Sequence, residues 1–83
     1  MNTLHDMINI SKVIEGKLLE VGIETPQSLE ELGSKGAFRR LKLNDPTACF
    51  NMLCALEGAL WGIRWHNLPD EVKQELRDYY KTL

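Results

Sequence analysis

A chain of 83 residues has the length of one small domain, which buries roughly 60% of the surface that its unfolded chain exposes. Its 43% hydrophobic and 27% charged residues are ordinary globular values, which excludes a disordered chain. The net charge of -2 argues against non-specific coating of nucleic acid and against a polybasic membrane anchor. We expect a single domain over residues 1–83, located in the cytoplasm, because the sequence shows neither a signal peptide nor a membrane-spanning apolar run.

The N-terminal half of the sequence predicts three short helices. The first, from about residue 8 or 11 to residue 21, carries apolar residues every three or four positions. The second begins at Thr25 and Pro26, which are typical of a helix cap and a first helical position, and it is expected to end at Gly33. Ser34 is expected to cap the third.

The C-terminal half predicts a central helix and a final helix. The central helix is expected to begin at Pro46, with Asp45 as its cap, and to end near Gly62. It is apolar around almost its whole circumference, which is typical of a buried helix. Pro69 begins the final helix. No strand pattern is seen, so the sequence predicts an all-α domain of five helices.

The turn between the first two helices has a helix-hairpin-helix pattern. It consists of Val21, Gly22, Ile23, Glu24 and Thr25. In DNA-binding versions, the turn and the next helix offer backbone N–H groups to a phosphate. Those versions usually carry a second glycine where this chain has Glu24. A hairpin used only for packing is therefore favoured, and a DNA-binding hairpin is the alternative.

A basic cluster follows the hairpin. Lys35, Arg39, Arg40 and Lys42 lie within eight residues on one predicted helix, where they could hold phosphates or an acidic partner. The alternative is a solvated helix face whose charges pair with nearby glutamates.

Glu57 is a lone carboxylate in the apolar central helix. No second carboxylate, histidine or lysine lies within one turn of it on that helix, so a catalytic role is disfavoured. Buried carboxylates persist when they are paired, so we expect Glu57 to accept hydrogen bonds from backbone N–H groups or an arginine. A small enzyme is therefore disfavoured, and a solvent-open pocket that places Glu57 beside His66 would revive that hypothesis.

The remaining polar and aromatic residues indicate packing rather than chemistry. Cys49 and Cys54 point in different directions on one predicted helix and are interpreted as reduced core residues. Trp61 and Trp65 are interpreted as packing residues, with stacking on a base or peptide as the alternative. No metal or cofactor signature is present, so neither is expected.

Several segments resemble the C-terminal domain of the TfoX (Sxy) family. The similarity is most specific in the Leu-Glu-Gly-Ala-Leu run at residues 56–60, followed by Trp65 and Leu68-Pro69. A Gly-Ile-x-Thr segment at 22–25 and a Leu-Gly-x-x-x-Ala segment at 32–37 extend it over nearly the whole chain. The resemblance implies a helix-hairpin-helix or SAM-like fold. It also implies structural roles for Glu57, Gly58, Trp65 and Pro69, and it supplies no catalytic residue.

The same resemblance implies a regulatory function. The family's two-domain members are bacterial regulators of DNA transformation (competence), thought to be transcriptional coactivators alongside the cyclic-AMP receptor protein. Because the sequence shows only the C-terminal part, we expect either a separate partner or a lost competence role. We therefore expect a non-enzymatic module that binds a protein of the transcription machinery or a second copy of itself. Direct DNA binding through the hairpin and the Lys35–Lys42 segment is the alternative.

Overall fold

The computed structural model describes residues 3–83 and contains four α-helices. They are α1 (Lys12–Glu20), α2 (Pro26–Asn44), α3 (Phe50–Trp61) and α4 (Asp70–Tyr80), with 3-10 helices at Leu4–Asp6 and Trp65–Asn67. This part of the chain contains no strand, which confirms the all-α prediction. None of these helices has the length and apolar composition needed to cross a bilayer.

The predicted count of five helices is not confirmed, because the second and third predicted helices adjoin without a connecting loop and together form α2. Gly33 interrupts its helical geometry with φ of 74° and ψ of 169°. Glycine adopts such a positive φ without steric cost. The two halves of α2 therefore meet at a kink on one glycine, and Ser34 is buried directly after it.

Helix α3 begins at Phe50 rather than at Pro46. Residues 45–48 form a turn instead, closed by the Ala48 N–H, which donates to the Asp45 carbonyl at 3.0 Å. The Asp45 carboxylate accepts from the Thr47 N–H at 2.9 Å and from Lys17 Nζ at 2.7 Å. Asp45 therefore stabilises this turn and its contact with α1, and it does not cap α3.

The later start of α3 changes the environment of one cysteine. Cys49 precedes the first residue of α3 and is exposed, whereas Cys54 is buried within the helix. The interpretation of both residues as core residues is therefore wrong for Cys49. Burial raises the pKa of the Cys54 thiol, so this side chain stays protonated and packs as an apolar group.

The core is organised around α3. This helix packs against α2, α4 and the 3-10 helix at residues 65–67. Each fully buried leucine or phenylalanine contributes about 1.5–3 kcal/mol to the free energy of unfolding. The largest buried side chains come from all four helices and the segments that join them: Leu4, Leu18, Ile23, Leu29, Phe38, Leu41, Leu53, Leu56 and Leu76.

The segment before α1 is tied to the rest of the fold. The His5 N–H donates to Glu15 Oε2 at 3.1 Å, and His5 Nδ1 lies 2.9 Å from the same oxygen. The hydrogen bond from the His5 side chain lowers the pKa of the Glu15 carboxyl. This attachment, together with the burial of Leu4 and Ile10, holds the N-terminal segment against the core.

Candidate functional site

The turn between α1 and α2 uses its backbone N–H groups to end α1. The Gly22 N–H donates to the Leu19 carbonyl at 3.1 Å and the Ile23 N–H to the Leu18 carbonyl at 2.9 Å. This is the Schellman arrangement of a helix C-terminus. The Val21 N–H also donates to Leu18, at 3.1 Å. Three N–H groups that a phosphate would require are therefore already bonded within the chain.

The first turn of α2 offers few further donors. Thr25 Oγ1 accepts from the Ser28 N–H at 3.1 Å, and Pro26 at the first helical position has no N–H. Exposed Glu20 and Glu24 lie at either end of the turn and would repel an anion. In this structure, the hairpin residues therefore cap helices, and their arrangement supplies no evident phosphate site.

Lys42 is committed to its own chain. Its Nζ donates to the carbonyls of Pro46 at 2.8 Å and Ala48 at 3.0 Å, and it lies 5.5 Å from the ring centre of Tyr80. These contacts hold the end of α2 against the turn before α3 and against α4. Lys42 thus stabilises the fold, a role that the sequence did not predict.

The other three basic residues are exposed, and they differ in how many contacts they make with the rest of the chain. Lys35 Nζ lies 5.7 Å from the ring centre of Tyr79, and Arg40 Nη1 donates to the Val21 carbonyl at 3.4 Å. Arg39 makes neither a hydrogen bond nor an ion pair with any side chain or backbone group of residues 3–83. Of the predicted cluster, Arg39 is thus the cation most available to a partner.

Glu57 connects α3 to α2 through both carboxylate oxygens. The Ser34 hydroxyl donates to Oε1 at 2.5 Å, and Trp61 Nε1 donates to Oε2 at 2.8 Å. The donors are a hydroxyl and an indole rather than the backbone N–H groups or arginine expected from the sequence. Because Ser34 directly follows the Gly33 kink, Glu57 fixes the start of the second half of α2.

A groove of about 330 Å³ lies beside Glu57, between α2, α3 and α4. His66 does not border it and instead stacks on Trp65, with 4.0 Å between the ring centres. Over residues 3–83, no three His, Cys, Asp or Glu side chains come close enough to share a metal ion. The groove beside Glu57 therefore does not bring Glu57 and His66 together.

Gly58 is the point at which three segments come together on α3. A Cβ at this position would lie 2.6 Å from Asn9 Nδ2, 2.9 Å from the Ile63 carbonyl oxygen and 3.0 Å from Trp65 Cα. Real Cβ atoms do not approach neighbours this closely. The sequence pattern indicated tight packing at Gly58, and the structure identifies what packs there.

Asn9 is the residue that sequence reasoning missed. It has φ of 72°, and its amide donates to the Ile63 carbonyl at 2.9 Å and the Ala55 carbonyl at 3.4 Å. Its Oδ1 accepts from the Trp65 N–H at 3.4 Å. Asparagine is enriched among residues with a left-handed backbone conformation. A single Asn before a helix does not, however, indicate hydrogen bonds to residues more than 40 positions away in the sequence.

Trp65 and Pro69, the last two residues of the structural motif, lie in the loop that leads into α4. Trp65 is half-buried against the core, and Pro69 immediately precedes the first residue of α4. Both position the connection between α3 and α4, and neither lines the groove beside Glu57. The sequence motif at residues 56–69 therefore describes a packing junction, while the exposed residues of α2 form a separate surface.

Comparisons with known proteins agree with this architecture. A sequence model of the TfoX C-terminal domain matches residues 1–80. Protein Sxy of Escherichia coli (strain K12) is 36% identical over 80 residues, which cover 96% of this chain and 38% of that protein. The chain thus spans little more than a third of the length of this curated relative.

Two crystal structures of proteins from Listeria monocytogenes have closely similar folds. One, of an uncharacterized protein in a triclinic form, is 44% identical with a TM-score of 0.95, covering 98% of this chain and 92% of that one. The other, of a protein of unknown function in a tetragonal form, is 46% identical with a TM-score of 0.93, covering 95% and 98%. With the match to the family over residues 1–80, these similarities show that the chain belongs to the TfoX C-terminal domain family.

Proposed function

We propose that this domain is a non-enzymatic regulatory module that acts by binding a protein partner. The observation that carries the proposal is the exposure of large apolar side chains on a small domain: Leu43 is 78% exposed, Val13 69% and Trp61 49%. Single exposed apolar residues are common on soluble proteins. Here Leu43 lies one helical turn from the unbonded Arg39, and aromatic residues such as Trp61 are, with arginine, enriched at protein interfaces.

The same contacts disfavour direct DNA binding. A duplex-binding protein typically neutralises about 6–10 phosphates with lysine and arginine. Here the turn's N–H groups cap α1, Lys42 is bonded to two carbonyls, and Glu24 borders the turn. Too few free cations and donors remain on this face to supply that number of phosphate contacts.

The regulatory part of the proposal rests on family membership. The chain belongs to the TfoX C-terminal domain family and is related to Protein Sxy. The resemblance to that family implies a role in the control of DNA transformation. We extend that role to this chain as an interaction with a protein of the transcription machinery. Self-association is the other form that such an interaction could take, and analytical ultracentrifugation across protein concentration separates the two.

The test is fluorescence anisotropy of labelled duplex DNA titrated with the purified domain at low and at physiological salt. We expect flat curves at physiological salt, both for the domain and for the Arg39→Glu/Arg40→Glu variant. The matched control is Lys12→Glu/Lys81→Glu, which makes the same change of charge at exposed positions outside the basic cluster. Salt-sensitive binding that the Arg39/Arg40 variant abolishes and the control retains would replace the proposal with a DNA-binding function.

A further inference from the structure

The second half of α2 presents a distinct outward face. Its buried residues, Ser34, Ala37, Phe38 and Leu41, share one side of the helix. The helical period of 3.6 residues places Gly36, Arg39, Arg40 and Leu43 on the opposite side. We call these four residues the outer α2 face.

The outer α2 face is positively charged without compensation from its own helix segment. Residues 34–44 include four basic side chains and no acidic one. Arg39 is unbonded within the described chain, and Arg40 makes only the 3.4 Å contact with the Val21 carbonyl. Lys35 borders a groove that is also lined by Glu57 and Glu75, and Arg40 borders a hollow that is also lined by Glu31. Arg39 is therefore the cation that dominates this face. A partner here would therefore be selected by negative charge.

The face is also apolar at one end. Leu43 has the largest exposed fraction, 78%, of the exposed large apolar side chains. Val13 lies one turn before Lys17 on α1, and Lys17 binds Asp45 at the end of α2. Val13 and Leu43 are thus exposed apolar side chains on the two helices that this ion pair connects.

We infer that the outer α2 face binds an acidic amphipathic helix of a protein partner, with a partner carboxylate on Arg39 and an apolar partner residue on Leu43. This inference rests on the proposed function, since it requires that the partner be a protein. Arginine pairs with carboxylates through two parallel hydrogen bonds, which gives both affinity and orientation. Gly36 has no side chain, so the partner backbone can approach α2 closely at that position.

The spacing of charged and apolar side chains on this face matches that of an amphipathic helix. Arg39 and Leu43 are four residues apart and Arg40 and Leu43 three apart, so each arginine is about 5–6 Å from the leucine along the helix surface. An amphipathic helix repeats carboxylates and apolar residues at the same intervals. A duplex would instead leave Leu43 against a phosphate backbone, where an apolar side chain gains little.

The experiment uses two synthetic helical peptides and isotope-labelled protein. One peptide carries a leucine stripe flanked by glutamates, and the other has lysine in place of each glutamate. Backbone amide shifts are followed by NMR up to millimolar peptide, and affinity is followed by anisotropy. We expect the acidic peptide to shift residues 35–43 and the basic peptide to leave them unchanged.

Variants locate the contact. Leu43→Ser and Arg39→Glu should each weaken binding of the acidic peptide by about tenfold or more, as the loss of a central contact does. The matched controls are Leu19→Ser, at another exposed leucine, and Lys81→Glu, at another exposed cation; both should change binding by less than about twofold. Circular dichroism checks that each variant keeps its helical content.

The outcomes separate this inference from the proposed function. An absence of shifts at millimolar acidic peptide, or shifts that map outside residues 35–43, overturns the inference. In that case flat DNA curves in the parallel anisotropy assay would leave the proposed function standing. Salt-sensitive DNA binding through Arg39 and Arg40 would overturn both.

Discussion

Two regions of this domain contain residues that are unusual for their position, and these residues contribute to packing in one region and are exposed to solvent in the other. At the Gly58 junction, formed by Gly58, Asn9 and Trp65 with the Ile63 carbonyl, a glycine and a left-handed asparagine let distant segments touch. At the outer α2 face, Arg39 makes no hydrogen bond or ion pair with residues 3–83, and Leu43 is 78% exposed. Residues at the Gly58 junction stabilise the fold, whereas Arg39 and Leu43 are available to bind a partner. Both regions lie in one small helical domain.

The largest effect is expected at the Gly58 junction. Gly58→Ala places a methyl group within about 3 Å of Asn9, Ile63 and Trp65. We expect it to lower the free energy of unfolding by about 3 kcal/mol, the upper end of the usual range for overpacking. Urea denaturation at constant pH measures this loss.

Gly36→Ala is the matched control for that substitution. A Cβ at Gly36 would meet only Leu32, at an ordinary distance of 3.5 Å. Alanine is the better helix former, so this variant should gain about 0.5–1 kcal/mol. Equal effects at the two glycines would refute the account of the Gly58 junction.

Removing the Asn9 side chain should cost about 2–3 kcal/mol. Asn9→Ala leaves the Ile63 carbonyl and the Trp65 N–H without their partner and puts alanine at a φ of 72°. Asn9→Gly removes the same hydrogen bonds but tolerates the backbone, so it should be less destabilised than Asn9→Ala. Thermal unfolding of the two variants side by side tests this order, and the reverse order would show that the backbone conformation does not matter.

Glu57→Ala should cost about 1–3 kcal/mol, because it leaves the buried Ser34 hydroxyl without its acceptor and removes the link between α3 and the kink of α2. Ser34→Ala removes only the donor of that hydrogen bond and should cost less, because the Glu57 carboxylate keeps its hydrogen bond from Trp61 Nε1 and borders an open groove. Chemical denaturation of both variants and of the double variant measures their coupling. Strictly additive losses would show that the contact between the two side chains contributes nothing.

Acidification should weaken the contact between α1 and the turn at residues 45–48. The hydrogen bonds from Lys17 and then Thr47 lower the pKa of the Asp45 carboxyl well below its ordinary value. A lowered pKa in the folded state means that the carboxylate stabilises the fold above the unfolded Asp pKa of about 3.9. That contribution is lost progressively as the pH falls below this value toward the lower folded pKa.

Asp45→Asn tests this sign. The variant should be less stable than the native chain at neutral pH, and the difference should shrink as the pH is lowered below about 4. Melting temperatures across that range provide the measurement. A difference that stays constant with pH would assign the effect to the turn's hydrogen bonds alone.

The smallest effect on stability is expected at the outer α2 face. Leu43→Ser and Arg39→Glu should each change the free energy of unfolding by no more than about 0.5 kcal/mol, because neither side chain is packed in the fold. Urea denaturation provides the measurement. A loss as large as that of Gly58→Ala would remove the distinction between the two regions.

The features that depend on local chemistry could be predicted from the sequence. The cap at Gly22, the start of α2 at Pro26, the break at Gly33 and the start of α4 after Pro69 follow from backbone preferences that act within a few residues. The buried character of the central helix follows from its apolar circumference.

The features that depend on distant contacts could not be predicted. Asp45-Pro46 is equally typical of a helix start and of a turn, and the turn forms here with Lys17, far away in sequence, bound to the Asp45 carboxylate. The donors to Glu57 and the partners of Asn9 also come from other segments. The basic cluster was visible in the sequence, but only the contacts of Lys42 and the isolation of Arg39 show which charges remain available.

The most direct test of the central claim titrates one protein preparation at physiological salt with the labelled acidic helical peptide and, in parallel, with labelled duplex DNA. The account predicts saturable peptide binding that Leu43→Ser and Arg39→Glu weaken by about tenfold, together with a flat DNA curve. DNA binding that falls steeply with salt, without peptide binding, would contradict it.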